Sequence, residues 1–592
     1  MRRATPLPRQ LSLGALVPRL LLLLALGALL AWGFVYDSTD FWWDEITSLE
    51  GYALLGFRAI VSTYDQPNNH VLFNLVDRVL LRLLGVRDLT AAMDHVEALR
   101  WGQWMVAASS VAFVARSGSR IFGPIGGALS AVFLVSSLPF LNFAMQLRGY
   151  GLGVLFAAAL LDSCFRLSGG PTRPLLATTV VTLSTFGLLY SVPSNVYFVA
   201  SVASWTGVTL FASRIHHRRA VASAQTVECN GERWMLLGLL VGTALALLAY
   251  LPILQEVLHN RFVSAHPPDR FFVLTTRLPH VLDHLSSFRY PLVVATVLGL
   301  LWPLVRVSGG GEVSGTAPGP LTAPGPLGVA ASREVMLLLA VVLIPFVLSF
   351  LRNDWPFERT FLVVTPAFAL LLGGGTASAA RIFSSPGSRG HALSMLAVAF
   401  YALGTATWGY LHVQGRLDRE FRETLAGEQN LLGNSYQSRS FRPSEGAAWL
   451  GPKVAAAPGP VLFVHEADRV AWSSYLAREG VPSLGMVRLI PAEPEARAAG
   501  MTHLAQLQVT KPGEEHAFYG VQLSLPSLAA DDALTPILEA AQRFGAVERF
   551  YVVTDFPSWT TNLAREIPAG WTAMPLRETG GFGTIWELRP PG

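Results

Sequence analysis

The feature that most constrains this chain is a series of apolar runs that are long enough to cross a membrane. About eleven such runs, each of about 17 to 24 residues, recur in the first 411 positions, and about 20 apolar residues in a helix span a bilayer. Charged residues make up only 14% of the chain, too few for the surface of a soluble protein of this length. The sequence therefore predicts a polytopic α-helical membrane protein. The runs lie near 13–36, 99–116, 121–143, 149–167, 174–191, 194–212, 234–254, 290–306, 335–351, 359–375 and 391–411.

The distribution of Lys and Arg predicts the orientation. A basic N-terminus, "MRRATPLPRQ", precedes the first run, which lacks a small-x-small cleavage site and is interpreted as a retained span. The positive-inside rule places this terminus and nearly every short basic loop in the cytoplasm. The membrane is expected to be a plasma (bacterial inner) membrane, because the sequence carries no eukaryotic sorting signal. The outer side then receives 37–98, 255–289 and everything after about 412. The net charge of +4 therefore reflects membrane orientation, and nucleic acid is not an expected partner.

Composition shifts divide the chain into domains. Residues 1–411 form the predicted transmembrane domain, which contains a Gly- and Pro-rich cytoplasmic linker at 307–333. A polar linker at 412–459 leads to 460–592, where short β-rich runs alternate with helical stretches. This last region is predicted to be an extracytoplasmic α/β domain.

The first outer loop, 37–98, is predicted to hold two juxtamembrane helices. Apolar residues recur at helical spacing from Ile46 to Ile60, and again in "NNHVLFNLVDRVLLRLLG", where Asn74, Arg78 and Arg82 form a polar stripe. Each helix has about 14 residues and a length of about 21 Å, which is too short to cross the hydrocarbon core. Both are therefore expected to lie in the membrane interface.

The first helix is preceded by an acidic pair, Asp44–Glu45, next to Trp42 and Trp43. A carboxylate at a helix start meets unpaired N–H groups, which favour its ionised form, so Asp44 could act as a base. Adjacent helical residues diverge by about 100°, so the two acids are expected to have different roles. Alternatively, both acids cap the helix and the tryptophans are ordinary interfacial aromatics.

An ordered set of short motifs resembles the GT-C superfamily of glycosyltransferases, which use polyprenyl-phosphate sugars. Protein O-mannosyltransferases and the aminoarabinose transferase of lipid A belong to it. The matching segments are "FWWDEITSLEGYAL", "QPNNHVLFNLVDRVLLRLLG", "VEALRWGQW", "SGSRIFGPIGG", "MQLRGYGL" and "FERTFLVVTPAFALLL". Two positions depart from the family pattern: Gln146 replaces a common Glu, and Thr360 replaces the usual Tyr.

This resemblance implies a GT-C-like fold and an inverting transfer of sugar from a polyprenyl-phosphate-linked donor to a glycan, lipid or protein acceptor. Asp44 would be the base, and Glu45 and His70 would orient the donor or hold an optional divalent cation (Mg²⁺, Mn²⁺ or Ca²⁺). Arg148, Arg359 and Arg100 would bind the donor phosphate, with Tyr150, Asn69, Glu97 and Glu358 in support. Alternatively, each arginine snorkels at the interface or pairs helices.

Two other functions remain open at this stage. A transporter or flippase of a lipid-linked sugar would need repeats and ionisable groups near the bilayer midplane, but Asp162 and Arg166 form a lone pair near a cytoplasmic end. A non-catalytic scaffold would act through its C-terminal domain. In the second outer loop, His280 and His284 have a spacing that could ligate a metal, but no third ligand can be placed.

Overall fold

The computed structural model describes most of the predicted membrane region and parts of the C-terminal region. The described residues are 13–37, 39–64, 69–168, 173–220, 230–259, 264–265, 270–272, 275, 327–352, 355–356, 358–382, 404, 442–457, 459, 461–463, 466–481, 487–491, 503–507, 523–525, 548–554, 570–578 and 584–589. The chain divides into two compact units. Unit 1 comprises 1–35, 56–78 and 98–413, and unit 2 comprises 36–55, 79–97 and 414–592.

Helices dominate the described part of residues 13–382. They are α1 (Leu13–Asp37), α2 (Trp43–Ser48), α3 (Phe57–Ser62), α4 (Val71–Leu83), α5 (Leu89–Met93), α6 (Val96–Phe122), α7 (Pro124–Val135), α8 (Leu138–Phe143), α9 (Tyr150–Ser168), α10 (Pro174–Ser191), α11 (Val196–Ala220), α12 (Asn230–Tyr250), α13 (Leu254–His259), α14 (Leu327–Arg352) and α15 (Thr365–Ile382). A π-helix covers Leu49–Ala53, short 3₁₀ helices cover Pro193–Asn195, Leu251–Ile253 and Glu358–Val364, and one helical turn covers Arg270–Phe272. The strands β1 (Ser264–Ala265) and β2 (Trp355–Pro356) pair antiparallel.

The described residues contain seven helical segments that are long and apolar enough to cross a membrane. These segments are Leu16–Tyr36, Tyr150–Ser168, Pro174–Ser191, Pro193–Ile215, Gly231–His259, Arg333–Arg352 and Phe361–Ser378. They confirm a multi-pass helical membrane protein. The predicted run 99–116 forms the middle of α6, whereas 290–306 and nearly all of 391–411 lie outside the described residues. The count of about eleven spans therefore stays a prediction.

The run 121–143, predicted as one span, is instead two helices. Helix α7 ends at Val135, Ser137 takes an extended backbone conformation, and α8 begins at Leu138. Pro139 lies in the first turn of α8, where its missing N–H costs nothing. In an unbroken helix Pro139 could not donate to the Val135 carbonyl and its ring would clash with that oxygen, which explains why α7 ends at Val135 and the apolar run does not form one continuous helix.

Small residues allow close helix packing in unit 1. A Cβ placed on Gly373 of α15 would lie 2.3 Å from Ser130 Oγ of α7, and one on Gly127 of α7 would lie 2.3 Å from the Ala115 carbonyl of α6. Neither contact leaves room for a side chain. Glycines at these positions therefore let the helix backbones approach closely, as is common in membrane proteins.

The first outer loop, 37–98, has one helix at a predicted position and a divided helix at the other, while their location in the membrane interface stays a prediction. Helix α4 has the predicted position, and its apolar residues Val76, Val79 and Leu83 are exposed, as expected for a helix in the membrane interface. The other predicted helix starts as α2, continues as the π-helix and then stops. Gly56 follows with a φ of 111°, a conformation that glycine adopts easily, and α3 begins after it.

Unit 2 contains an α/β region, as predicted for the C-terminal residues. Its helices are α16 (Pro443–Ala456) and α17 (Glu466–Arg478), and its strands are β3 (Val461–Phe463), β4 (Val487–Pro491), β5 (His503–Leu507), β6 (Leu523–Leu525), β7 (Phe550–Thr554), β8 (Thr572–Glu578) and β9 (Thr584–Arg589). One sheet has the order β3-β7-β9-β8 and another has the order β4-β5-β6. In the first sheet β3 is parallel to β7, while β9 runs antiparallel to both of its neighbours.

Candidate functional site

The start of α9 carries a buried cation on an aromatic ring. Arg148 and Tyr150, from the motif "MQLRGY", are both buried, and Arg148 is 0% exposed. The Arg148 Cζ atom lies 4.8 Å from the centroid of the Tyr150 ring, within the range of a cation–π interaction. The Arg148 backbone N–H also donates to the Gln146 carbonyl at 2.7 Å, so a tight turn places the guanidinium just ahead of the helix.

His70, from the distant motif "NNH", packs against the same ring. The His70 and Tyr150 ring centroids are 4.9 Å apart in an edge-to-face arrangement. Asn69 fixes the backbone before His70, because its side-chain NH₂ group donates to the Ile60 and Thr63 carbonyls at 2.8 and 2.6 Å. The structure thus brings together four predicted site residues of unit 1: Asn69, His70, Arg148 and Tyr150.

Glycines make this close packing possible. A Cβ placed on Gly149 would lie 2.9 Å from His70 Cβ and 3.1 Å from the Ser191 carbonyl. A Cβ placed on Gly151 would lie 3.0 Å from Gln103 Oε1, a buried amide oxygen that accepts no hydrogen bond from a described residue. The sequence signal for this close packing is a glycine at every second position of "RGYGLG". The motif comparison did not identify these glycines as packing positions.

Tyr64 is a further residue that sequence reasoning missed. Its side chain is buried, its backbone N–H donates to a carboxylate oxygen of Glu256, and burial followed by the nearby Tyr150 raises the pKa of its phenol. The phenol therefore stays protonated and can donate a hydrogen bond. No motif marks Tyr64, because its contacts depend on residues far away in the chain.

The remaining predicted residues of unit 1 are less completely defined. Arg100 is buried in α6. Glu358 and Arg359 open the 3₁₀ helix Glu358–Val364, which packs against α8 and α9, but their side chains lie outside the described part. Gln146 is buried, and its NH₂ group donates to Asn142 Oδ1 at 2.9 Å.

In unit 2, the acidic pair occupies the first turn of α2. Glu45 is completely buried, and its Oε2 atom accepts the Trp42 N–H at 2.8 Å, which is the side-chain-to-backbone half of a capping box. Asp44 is buried to a lesser extent, and its carbonyl accepts from Ser48 Oγ at 2.9 Å. The third predicted acid of unit 2, Glu97, is exposed in the first turn of α6.

The residues just before the acidic pair are bound to the C-terminal helices of the same unit. Asp40 accepts from the Ser444 N–H and hydroxyl of α16, each at 2.8 Å, and the Phe41 N–H donates to the Tyr475 hydroxyl of α17 at 2.9 Å. Helix α2 also packs against α17. The C-terminal region therefore supports the segment that carries Asp44 and Glu45, a role that the sequence patterns did not predict.

A metal site is not defined by the described residues, among which no group of three or more His, Cys, Asp and Glu side chains could hold an ion. His259 is exposed, and its Nδ1 atom lies 2.9 Å from the Gln255 carbonyl. His280 and His284 lie outside the described residues. The optional divalent cation stays a prediction.

Comparisons with known proteins gave matches in structure only. No family model and no curated protein sequence matches the chain. Among solved structures, it is similar to apo ArnT from Cupriavidus metallidurans, with 12% identity, 98% of each chain covered and a TM-score of 0.47. ArnT bound to undecaprenyl phosphate gives 12% identity, 97% of this chain and 98% of that chain covered, and a TM-score of 0.45. The apo oligosaccharyltransferase of Archaeoglobus fulgidus gives 10% identity, 94% of this chain and 71% of that chain covered, and a TM-score of 0.42.

Proposed function

We propose that the protein is an inverting glycosyltransferase that moves a sugar from a polyprenyl-phosphate-linked donor to an acceptor hydroxyl on the outer face of the membrane. The observation that carries the proposal is the cluster of Arg148, Tyr150 and His70. Two motifs about 80 residues apart in the sequence meet there around a fully buried guanidinium.

A buried guanidinium suits the leaving group of this reaction. The departing polyprenyl phosphate takes the electron pair of the broken bond, and a cation in a site of low dielectric stabilises the negative charge that develops. Guanidinium can also grip two phosphate oxygens at once. Arg148 is therefore proposed to bind the donor phosphate, while His70 and Tyr150 hold the guanidinium in position.

The proposed step needs one base. As the acceptor oxygen bonds to the anomeric carbon, the bond from that carbon to the phosphate oxygen breaks on the opposite face, and Asp44 takes the hydroxyl proton. The products are an inverted glycoside and free polyprenyl phosphate. Where a divalent cation is bound, it would supply further positive charge, and His70 is its proposed holder in unit 1.

Asp44→Asn tests this proposal in the full chain. Purified protein in lipid nanodiscs is given polyprenyl-phosphate sugars with a radiolabelled sugar, and donor binding and transfer are measured separately. We expect Asp44→Asn to bind the donor normally and to lose transfer by at least about a hundredfold, since general-base catalysis contributes about 10² to 10⁴ in rate. Asp94→Asn, an exposed change in unit 2, is the matched control and should retain activity.

Two outcomes would contradict the proposal. Transfer by Asp44→Asn at the wild-type rate would exclude Asp44 as the base. Movement of the labelled lipid across a vesicle membrane by the wild-type protein, without formation of a new glycosidic bond, would indicate a flippase instead.

A further inference from the structure

A cluster of three arginines around one buried carboxylate lies at the opposite, C-terminal ends of α6 and α9. Asp162 has a side chain that is 1% exposed, and its Oδ2 atom lies 2.7 Å from Arg116 Nη2 and 2.8 Å from Arg166 Nε. Arg120 Nη1 is 3.8 Å from Asp162 Oδ1. The expected lone pair of Asp162 and Arg166 is therefore part of a larger group, which we call the Asp162 cluster: Arg116, Arg120, Asp162 and Arg166.

Positive charge exceeds negative charge in the Asp162 cluster. Asp162 is the one acidic residue between Glu97 and Glu228 in the sequence, and Glu232, in the first turn of α12 beside the end of α9, is paired with Arg333 at 2.6 Å. Arg120 and Arg166 lie in the last turns of their helices, and each helix C-terminus adds about half a negative charge. Three guanidiniums against one carboxylate and two helix ends leave a surplus of about one positive charge.

The three guanidiniums are accessible although the carboxylate is not. The side chains of Arg116, Arg120 and Arg166 are 47%, 36% and 38% exposed. Ser117 Oγ also donates to the carboxylate, at 3.2 Å, so Asp162 is held from several sides and fixes the arginines in place. The cluster therefore presents a pre-organised group of N–H donors to its surroundings, with the buried carboxylate behind it.

The depth of the cluster suits a lipid phosphate. Helix α9 is itself a candidate membrane span, and Arg166 lies in its last turn. The positive-inside rule predicts that this end faces the cytoplasm, where anionic phospholipids attract basic groups between helices. We propose that the Asp162 cluster binds the phosphodiester headgroup of an anionic membrane lipid. The single surplus charge matches a monoanionic phosphodiester, and bidentate contacts from guanidinium suit its two free oxygens.

The proposal is tested by binding of phosphatidylglycerol to the full-length protein in nanodiscs of phosphatidylcholine, measured by native mass spectrometry across a titration. Arg120→Gln removes the arginine farthest from Asp162, and we expect its affinity to fall about tenfold, because a hydrogen bond from a charged donor to the phosphate is lost. Arg120→Lys, which keeps the charge, should lose less. Arg214→Gln, an exposed change on the same predicted side, is the control and should bind phosphatidylglycerol as wild type does.

The contrary outcomes are equally definite. Wild-type affinity in Arg120→Gln, or an equal loss in Arg214→Gln, would mean that the cluster only joins α6 to α9. Displacement of the lipid by millimolar inorganic phosphate would show a site for free phosphate and overturn the lipid assignment. If Arg120→Gln is unstable in phosphatidylcholine alone, the comparison of Arg120→Lys with Arg214→Gln decides, and equal affinities in those two variants overturn the proposal.

Discussion

Removing the Asp40 carboxylate should loosen the segment that leads into α2. Asp40 accepts two hydrogen bonds from Ser444, both at 2.8 Å and both partly buried. Hydrogen bonds to a charged group contribute about 1.5 to 3 kcal/mol, and loss of a helix N-terminal acceptor costs about 0.5 to 2 kcal/mol. Because the group is partly hydrated, we expect Asp40→Ala to destabilise the local structure by about 2 kcal/mol. Asp40→Asn keeps one accepting oxygen and should cost about half as much.

The exposed ion pair between Asp94 and Arg478 is the control for the loss of a carboxylate, because its N–O distance equals the Asp40–Ser444 distances. These side chains are 2.8 Å apart but about half exposed, and such surface pairs contribute about 0 to 1 kcal/mol. Hydrogen exchange at residues 41–48 and 444–447 measures the difference directly. A loss of about 2 kcal/mol speeds exchange by local opening about thirtyfold, whereas Asp94→Ala should leave it within a few-fold of wild type. Unchanged exchange in Asp40→Ala, or an equal acceleration in Asp94→Ala, would refute the assigned role of Asp40.

Two further predictions concern the cluster at the start of α9. Gly149→Ala presses a methyl group against His70, so we expect overpacking to lower the free energy of unfolding by about 1 to 3 kcal/mol and to weaken donor binding. Gly207→Ala is the control, because Gly207 has open space around it and the change should not destabilise α11. Thermal unfolding and donor-binding measurements compare the two variants. Arg148→Lys keeps the charge but loses the planar contact with the phenol ring and the bidentate grip, so donor binding should weaken about tenfold. Equal donor affinity in Arg148→Lys and wild type would argue against a guanidinium–phosphate contact.

The parts of the fold that depend on local composition could be predicted from the sequence. Seven apolar runs form helices that are long and apolar enough to cross a membrane, and length and hydropathy can be read from the sequence. The amphipathic spacing of apolar residues likewise predicts α4. Predicted boundaries failed where a single residue overrides the local pattern. Pro139 divides an apolar run, and Gly56, at a φ of 111°, ends a helical stretch whose apolar spacing continues.

The contacts that define the candidate site could be predicted only in part. The motifs identified His70, Arg148 and Tyr150, but their packing depends on Gly149, whose missing side chain leaves room for the imidazole. The bond from Asp40 to Ser444 joins residues 404 positions apart, and no periodicity or propensity reports such a contact. Sequence patterns therefore identified the candidate site residues more reliably than the packing and long-range hydrogen bonds that hold them in place.

The three acids in the stretch 40–45 are proposed to have different roles. Asp40 holds α16, and Glu45 accepts the Trp42 N–H at the start of α2, so both carboxylates have defined structural roles. The Glu45 carboxylate is engaged at the start of α2, Asp44 stays the proposed base, and a pair of isosteric amides decides between them. Glu45→Gln keeps an oxygen for the Trp42 N–H, so we expect it to retain the helix start and to transfer sugar within about tenfold of wild type, whereas Asp44→Asn cannot accept a proton. Transfer that survives in Asp44→Asn but is abolished in Glu45→Gln, with hydrogen exchange of α2 unchanged in both, would reverse the assignment.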